Sequence, residues 1–185
     1  MKPVSLIIAF LLGISFFSLA QLKVGDKAPL FAAQDDADQI WNSVDYMGEK
    51  IVVVYFYPAA MTGGCTKQAC AFRDDKSKLD DLDAIVVGVS GDQVENLKYF
   101  KEAHDLNFPL LADPDGLIAN KFKVKVKDGA SIVRNIGGND ITLERGVTAS
   151  RWTFIIDKAG KIAYVNTEVS AAEDSKQTIE VIKNL

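Results

Sequence analysis

A run of seven β-branched or aromatic residues, 51–57, most constrains how this chain can fold. Such a run is typical of a buried strand. Pro58 ends that strand, and beyond Gly63 and Gly64 the apolar residues recur every three or four positions, which predicts a helix. Cys65 therefore lies where a strand leads into a helix N-terminus, a place where a thiol can become reactive.

Strands and helices alternate along the rest of the chain. A buried strand is predicted at residues 84–90 and a short strand at 108–112, and Asp92 with Glu95 forms a capping-box pattern for a helix that ends near His104. The other predicted elements are a strand at 40–44, a helix at 61–82, a turn at 113–116, a short helix at 117–122, a hairpin of strands 153–156 and 162–165, and a final helix at 172–185. This order predicts an α/β fold with helices on both faces of the sheet.

The segment 127–150 has a weaker pattern. Its glycines, Gly129, Gly137, Gly138 and Gly146, predict turns around one or two strands. At residues 123–127, around the start of this segment, lysines alternate with valines. This alternation predicts that Lys123, Lys125 and Lys127 form the solvated face of a strand.

Composition and charge limit the possible functions. The chain has 185 residues, 48% apolar and 25% charged, which is ordinary for one globular domain. The formal net charge of −4 provides no basic field, so no nucleic-acid partner is expected.

Residues 1–20 have the pattern of a secretory signal. Lys2 precedes an apolar run of 14 residues, 4–17, and small residues stand before the predicted cleavage after Ala20. We therefore predict one domain over residues 21–185, exported to the periplasm or secreted, with no stable membrane association after cleavage. The alternative is an uncleaved anchor, because the apolar stretch approaches the minimum length that spans a bilayer.

Cys65 and Cys70 are the only cysteines, and they stand five residues apart. In an exported protein a cysteine pair is usually a structural disulfide. The loop that this pair closes is very short, and short loops gain the least stability from a cross-link. A chain of this length buries enough surface without it. The pair is therefore predicted to be redox-active, with a passive disulfide as the alternative.

The spacing Pro58-x-x-x-Thr62-x-x-Cys65 resembles the active-site signature of the peroxiredoxins. The segment GCTKQAC at residues 64–70 narrows the resemblance to the peroxiredoxin Q or bacterioferritin comigratory protein group. Further matches are YFYP at 55–58, FRD at 72–74, FPLLAD at 108–113 and RWTFIID at 151–157. The resemblance implies a thioredoxin-like fold, a three-layer sandwich whose central mixed β-sheet carries helices on both faces.

The resemblance also implies an activity, a thiol-dependent peroxidase that reduces hydrogen peroxide or organic hydroperoxides. Cys65 is then the peroxidatic nucleophile, and Cys70 resolves its sulfenic acid as a Cys65–Cys70 disulfide. The attacking form is a thiolate, which the helix N-terminus and the guanidinium of Arg151 favour. The remaining implied site residues are Thr62 and Pro58, which organise the pocket, with Gly64 and Gln68 in support.

Each of these site residues has a simpler interpretation when it is taken alone. Thr62 fits a helix N-cap, Pro58 fits a strand end, and Arg151 fits a solvated strand end. Gln68 fits either a supporting position on the helix face of Cys65 or an ordinary surface position. Their joint spacing and the family resemblance favour a functional site.

The expected partners follow from the same resemblance. A thioredoxin-like dithiol is expected as reductant, the protein is expected to be a monomer, and no metal or organic cofactor is implied. His104 is the only histidine and has no cysteine or histidine at a metal-binding spacing, so it is predicted to be a surface residue.

Helix geometry restricts how the cysteine pair can react. Cα atoms five residues apart on a helix lie about 8.6 Å from each other. A disulfide requires roughly 4.4–6.8 Å. If Cys65 and Cys70 share one helix, the stretch from Cys65 to about Asp74 must unwind before they can bond.

Two other functions stay open. One is an exported thiol–disulfide oxidoreductase, although the usual Cys-x-x-Cys is lacking, and the other is a non-catalytic binding domain with a passive disulfide.

Overall fold

The computed structural model describes residues 21–185, which form nine strands and five α-helices. The strands are β1 (Ala32–Gln34), β2 (Ile40–Asn42), β3 (Ile51–Phe56), β4 (Ala84–Ser90), β5 (Leu110–Ala112), β6 (Val126–Ile136), β7 (Asn139–Ala149), β8 (Trp152–Ile156) and β9 (Ile162–Asn166). The helices are α1 (Gly63–Asp74), α2 (Lys76–Asp81), α3 (Val94–His104), α4 (Leu117–Lys121) and α5 (Asp174–Ile182). The predicted secretory signal, residues 1–20, lies outside the described residues. None of the described helices is long and apolar enough to cross a membrane.

The apolar run at residues 51–57 contains β3, the central strand of a five-stranded mixed sheet. The strand order is β5-β4-β3-β8-β9. β3 is parallel to β4, and β4 is parallel to β5, whereas β8 runs antiparallel to both β3 and β9. With neighbours on both edges and helices on both faces, residues 52–57 are completely buried.

Alternate side chains of β3 enter two separate apolar clusters because successive residues of a strand point to opposite faces. Val53 and Tyr55 pack into the cluster that contains residues of α1, α2, α3 and α5. Val54 and Phe56 pack into the other cluster, with residues of α4 and with Trp41. Helices therefore cover both faces of the sheet, and the predicted three-layer α/β sandwich is confirmed.

The predicted single helix over 61–82 is wrong, because the chain breaks at Asp75 between α1 and α2. The carboxylate of Asp75 is buried and accepts hydrogen bonds of 2.7 Å from Ser175 Oγ and from Lys78 Nζ. The backbone of Asp75 has φ −94° and ψ 5°, outside the α-helical region. The break in the helix thus occurs at the residue that bonds to Ser175 of the distant helix α5. The spacing of apolar residues along the chain does not predict this break.

The capping box predicted from Asp92 and Glu95 is also wrong. α3 begins at Val94 with Gln93 at the N-cap position, and no side chain caps it. Asp92 instead turns inward, where its Oδ2 accepts from the backbone N–H of Ala60 at 2.8 Å. The carboxylate therefore binds the backbone of a loop 32 residues away instead of capping the helix that follows it.

The glycine-rich segment forms one long hairpin, β6–β7, as a separate two-stranded sheet. Its turn lies at Gly137 and Gly138, which both have positive φ. The base of the hairpin packs closely on the loop after β4: a Cβ on Gly91 would lie 2.0 Å from the carbonyl oxygen of Val147. The predicted strand face at residues 123–127 is only partly correct: Lys123, Lys125 and Lys127 are all exposed, but Lys123 has a positive φ and β6 begins only at Val126.

Candidate active site

Cys65 is the third residue of α1, which confirms its predicted position after a strand and at a helix N-terminus. Pro58 is half-buried and opens the loop that connects β3 to this helix. Thr62 occupies the N-cap position, with φ −114° and ψ 147°. The Cys65 side chain is 1% exposed, so its sulfur lies among protein atoms beside the free N–H groups of a first helical turn.

The loop before the helix is held at three consecutive residues. The hydroxyl of Thr62 donates to the carbonyl oxygen of Ala59 at 2.8 Å. The N–H of Ala60 donates to Asp92 at 2.8 Å, and the carbonyl oxygen of Met61 accepts from Arg134 Nε at 2.8 Å. The backbone of Thr62 thus occupies the N-cap position, but its side chain makes no hydrogen bond that caps the helix. Its oxygen keeps lone pairs that can accept a hydrogen bond from a substrate.

Arg151 brings a full positive charge to the thiol. It stands immediately before β8, and its Nη2 lies 3.3 Å from Cys65 Sγ. Gly64 leaves room for this approach, because a Cβ at that position would lie 3.3 Å from the same nitrogen, a tight contact. Arginine is charged at any accessible pH and presents several donors in a fixed plane. The helix N-terminus and the Arg151 guanidinium therefore both lie beside the Cys65 sulfur.

Gln68 connects Arg151 to the C-terminal helix. Arg151 Nη1 donates to Gln68 Oε1, and Gln68 Nε2 donates to Asp174 Oδ2 at 2.7 Å. Thr153, on β8, donates to the same Asp174 oxygen at 2.7 Å. Gln68 is completely buried, so the surface position left open from sequence is wrong. The network holds the guanidinium through Nη1, while Nη2 is the nitrogen that contacts the thiol.

Asp174 is a carboxyl group held inside the protein. Burial raises the pKa of Asp174, and the hydrogen bonds from Thr153 and Gln68 and the charge of Arg151 only partly offset this effect. Its Oδ1 has no partner among the described residues. The burial of this group favours its protonated form, whereas the charge of Arg151 favours its ionised form.

Cys70 lies five residues beyond Cys65 on the same uninterrupted helix α1, and it is half-buried. Both thiols are free. The geometry of an α-helix separates their Cα atoms by about 8.6 Å, which exceeds the range of a disulfide. The structure therefore meets the condition under which the helix must unwind for the two cysteines to bond.

His104 ends α3 and is half-buried, so its predicted surface position is only partly correct. Its ring packs edge-on against Phe100, with 5.4 Å between ring centroids. Burial and the nearby charge of Arg73 lower the pKa of His104. Across residues 21–185, no group of three or more His, Cys, Asp or Glu side chains is placed to hold a metal ion.

Three residues near the site were missed in the sequence: Asp174, Asp92 and Arg134. A signal existed for Asp174, because it shares the buried face of α5 with Thr178 and Ile182 at helical spacing. An acidic residue on the apolar face of a helix indicates a buried polar contact. For Asp92 and Arg134 no local pattern marks the contact, since their partners lie 32 and 73 residues away.

This chain is similar to known proteins both in sequence and in fold. The model of the AhpC/TSA family matches residues 24–165. Peroxiredoxin Bcp of Bacillus subtilis (strain 168) is 35% identical over 165 residues, which cover 89% of this chain and 97% of that protein. The crystal structure of peroxidoxin BcpB from Mycobacterium tuberculosis gives a TM-score of 0.74 at 30% identity, covering 89% of this chain and 99% of the other. The bacterioferritin comigratory protein of Xanthomonas campestris, at 23% identity, gives a TM-score of 0.67 over 83% of this chain and 90% of that one, which shows a shared fold.

These similarities do not favour an oxidoreductase that acts on protein disulfides, since the relatives are named as peroxiredoxins. The family model covers most of the chain, and the relatives align over nearly their whole length. The chain therefore belongs to the AhpC/TSA family, in its Bcp/peroxiredoxin Q group, and is a peroxidase enzyme with a thioredoxin-like fold.

Proposed function

We propose that Cys65 is the peroxidatic nucleophile, which reduces hydrogen peroxide and organic hydroperoxides. The observation that carries this proposal is the 3.3 Å approach of Arg151 Nη2 to the Cys65 sulfur at a helix N-terminus. The thiolate attacks one peroxide oxygen, an S–O bond forms and the O–O bond breaks. The leaving alkoxide or hydroxide takes up a proton, which gives an alcohol or water and leaves Cys65 as a sulfenic acid.

The surrounding groups suit this displacement. The lone pairs of Thr62 Oγ1 accept a hydrogen bond from the O–H of the peroxide, and the backbone N–H groups of Gly64 and Cys65, with Arg151, stabilise the oxygen that becomes negative. Pro58 excludes water from one side of the pocket, which strengthens these interactions. Organic hydroperoxides are included because the Xanthomonas campestris relative is described as having alkyl peroxide reduction activity.

We assign Cys70 as the resolving residue. Its thiol condenses with the Cys65 sulfenic acid, so that a disulfide forms and one water molecule leaves. Because the two residues are too far apart on an intact α1, the helix unwinds from Cys65 to about Asp74. Unwinding breaks the hydrogen bond from Gln68 to Asp174 and the 2.6 Å bond from Arg73 Nη1 to the carbonyl oxygen of His104. The helical conformation is regained when the disulfide is reduced.

A thioredoxin-like dithiol is the proposed reductant. Its thiolate attacks the disulfide that the unwound segment exposes, and exchange returns both cysteines to thiols while the reductant is oxidised. The proposed active form is a monomer, because both the nucleophile and its resolving partner belong to one chain.

The proposed roles are tested by stopped-flow oxidation of the reduced protein with hydrogen peroxide. Trp152 adjoins Arg151 and is 6% exposed, so its fluorescence can report the oxidation state of Cys65. We expect no fast phase in Cys65→Ser. In Cys70→Ser we expect a single turnover that stops at a sulfenic acid, which dimedone labels. A fast phase that survives Cys65→Ser would refute the assignment of the nucleophile.

Export is a further proposal, supported by the apolar run at residues 4–17 and the small residues before Gln21. Expression of the full chain in a bacterial host tests it. We expect the mature protein in the periplasmic fraction, with the mass of a chain whose first residue is Gln21. A protein of full mass in the membrane fraction would instead support the uncleaved anchor.

A further inference from the structure

The β6–β7 hairpin holds the loop that leads into the catalytic helix. Arg134, on β6, donates from Nε to the carbonyl oxygen of Met61 at 2.8 Å, and from Nη1 to the carbonyl oxygen of Val133 at 2.9 Å. The second bond lies within the hairpin, so the guanidinium is fixed to its own strand while it binds the loop. Arg134 is half-buried, so this contact is only partly exposed to water.

A second connection joins the hairpin to the residue before Met61. Asn96 Nδ2 donates to the carbonyl oxygen of Glu144, on β7, at 2.6 Å and to Asp92 Oδ1 at 3.3 Å. The other oxygen of Asp92 accepts from the N–H of Ala60. The hairpin therefore reaches consecutive residues of the loop, one directly through Arg134 and one through two buried side chains.

Met61 adopts a conformation that the hairpin contact helps to maintain. Its φ is +57°, the left-handed region that a side chain with a Cβ rarely adopts. Such strain persists only where surrounding contacts hold it, and it is concentrated at functional sites. The next residue, Thr62, receives the first backbone bond of the helix, from the N–H of Thr66 at 2.8 Å. The orientation of Met61 thus determines how the chain enters α1.

We propose that Arg134 is a positioning residue for Cys65: by its hydrogen bond to Met61 it keeps Thr62 and the first turn of α1 in the arrangement that reacts with peroxide. This inference rests on the proposed peroxidase chemistry. Reaction with peroxide requires the ordered helix start, whereas disulfide formation requires that the helix be lost. The bond from Arg134 exists in the ordered state, so it accelerates the first step and slows the second.

Rapid-quench mass spectrometry of single-turnover reactions measures both steps separately, as the appearance of sulfenic acid and then of disulfide. For Arg134→Ala we expect the second-order rate constant for peroxide to fall about fivefold and the first-order rate constant for disulfide formation to rise about fivefold, as suits one charged hydrogen bond that is partly exposed. Arg134→Lys keeps the charge and should recover at least half of both changes. Lys127→Ala is the matched control, because it removes an exposed cation from the same strand.

Opposite changes in the two rate constants, with Lys127→Ala equal to the wild type, support the proposal. It is overturned if both constants of Arg134→Ala stay within twofold of the wild type. It is also overturned if both constants fall together with the midpoint of urea unfolding, which indicates general destabilisation of the hairpin. Failure of the proposed function gives a different result from failure of this inference. In that case Cys65→Ser still reduces peroxide, whatever residue occupies position 134.

Discussion

Replacing Phe72 by leucine tests how far α1 must unwind before the disulfide forms. Phe72 is in the last half of α1, two residues beyond Cys70, and is completely buried. Its ring stacks on that of Tyr55, with 4.9 Å between centroids and 19° between planes. If unwinding extends to about Asp74, this ring leaves the core before the two sulfurs meet.

The size of the effect follows from the burial of Phe72. Leucine fills the site less completely, and a loss equivalent to two buried methylene groups costs about 1.5 kcal/mol. That free energy is lost from the intact helix but not from an unwound segment whose ring is already in water. The barrier to disulfide formation therefore falls by the same amount, and the first-order rate constant should rise about tenfold.

The assay is the rapid-quench measurement of disulfide formation after one equivalent of hydrogen peroxide. Phe154→Leu is the matched control, because Phe154 is equally buried but lies on β8, on the opposite face of the sheet. Both variants should lose about 1.5 kcal/mol of the free energy of unfolding in urea. Only Phe72→Leu should accelerate the disulfide step.

Two results would refute this reasoning. An unchanged rate of disulfide formation in Phe72→Leu, with the expected loss of stability, would mean that unwinding stops before residue 72. An equal acceleration in Phe154→Leu would mean that global unfolding, rather than local unwinding of α1, brings the cysteines together.

The buried network behind Arg151 provides two further predictions. Gln68→Ala removes two hydrogen bonds to charged groups, so the free energy of unfolding in urea should fall by about 3 kcal/mol. In stopped-flow, the reaction with peroxide should be roughly tenfold slower. An unchanged rate would contradict the orienting role of Gln68. Because burial raises the pKa of Asp174 above its ordinary 3.8, its contribution to stability is present below about pH 4 and is lost as the pH rises through the raised pKa. Asp174→Asn cannot titrate, so its free energy of unfolding in urea, relative to the wild type, should increase from about pH 4 to pH 7; a decrease would show the opposite sign of the shift.

Local patterns predicted the elements of the central sheet because each depends on nearby residues. Continuous apolar runs identified β3 and β4, and the two short apolar runs at residues 153–156 and 162–165 identified the hairpin of β8 and β9. The break at Asp75 and the start of α3 were mispredicted, because each involves a carboxylate whose partner is distant in sequence. Periodicity contains no information about such contacts.

Sequence by itself determined that this chain has a strand leading into a cysteine-bearing helix, and that its spacing of Pro58, Thr62 and Cys65 resembles that of the peroxiredoxins. The resemblance implied roles for Arg151 and Gln68, but only the tertiary structure decided which atoms they contact and added Asp174 to the site. Arg151 reaches Cys65 across 86 residues, and Gln68 reaches Asp174 across 106. The physical reason is that a hydrogen bond requires atoms about 3 Å apart, a condition that packing of the sheet and helices, and not order along the chain, satisfies.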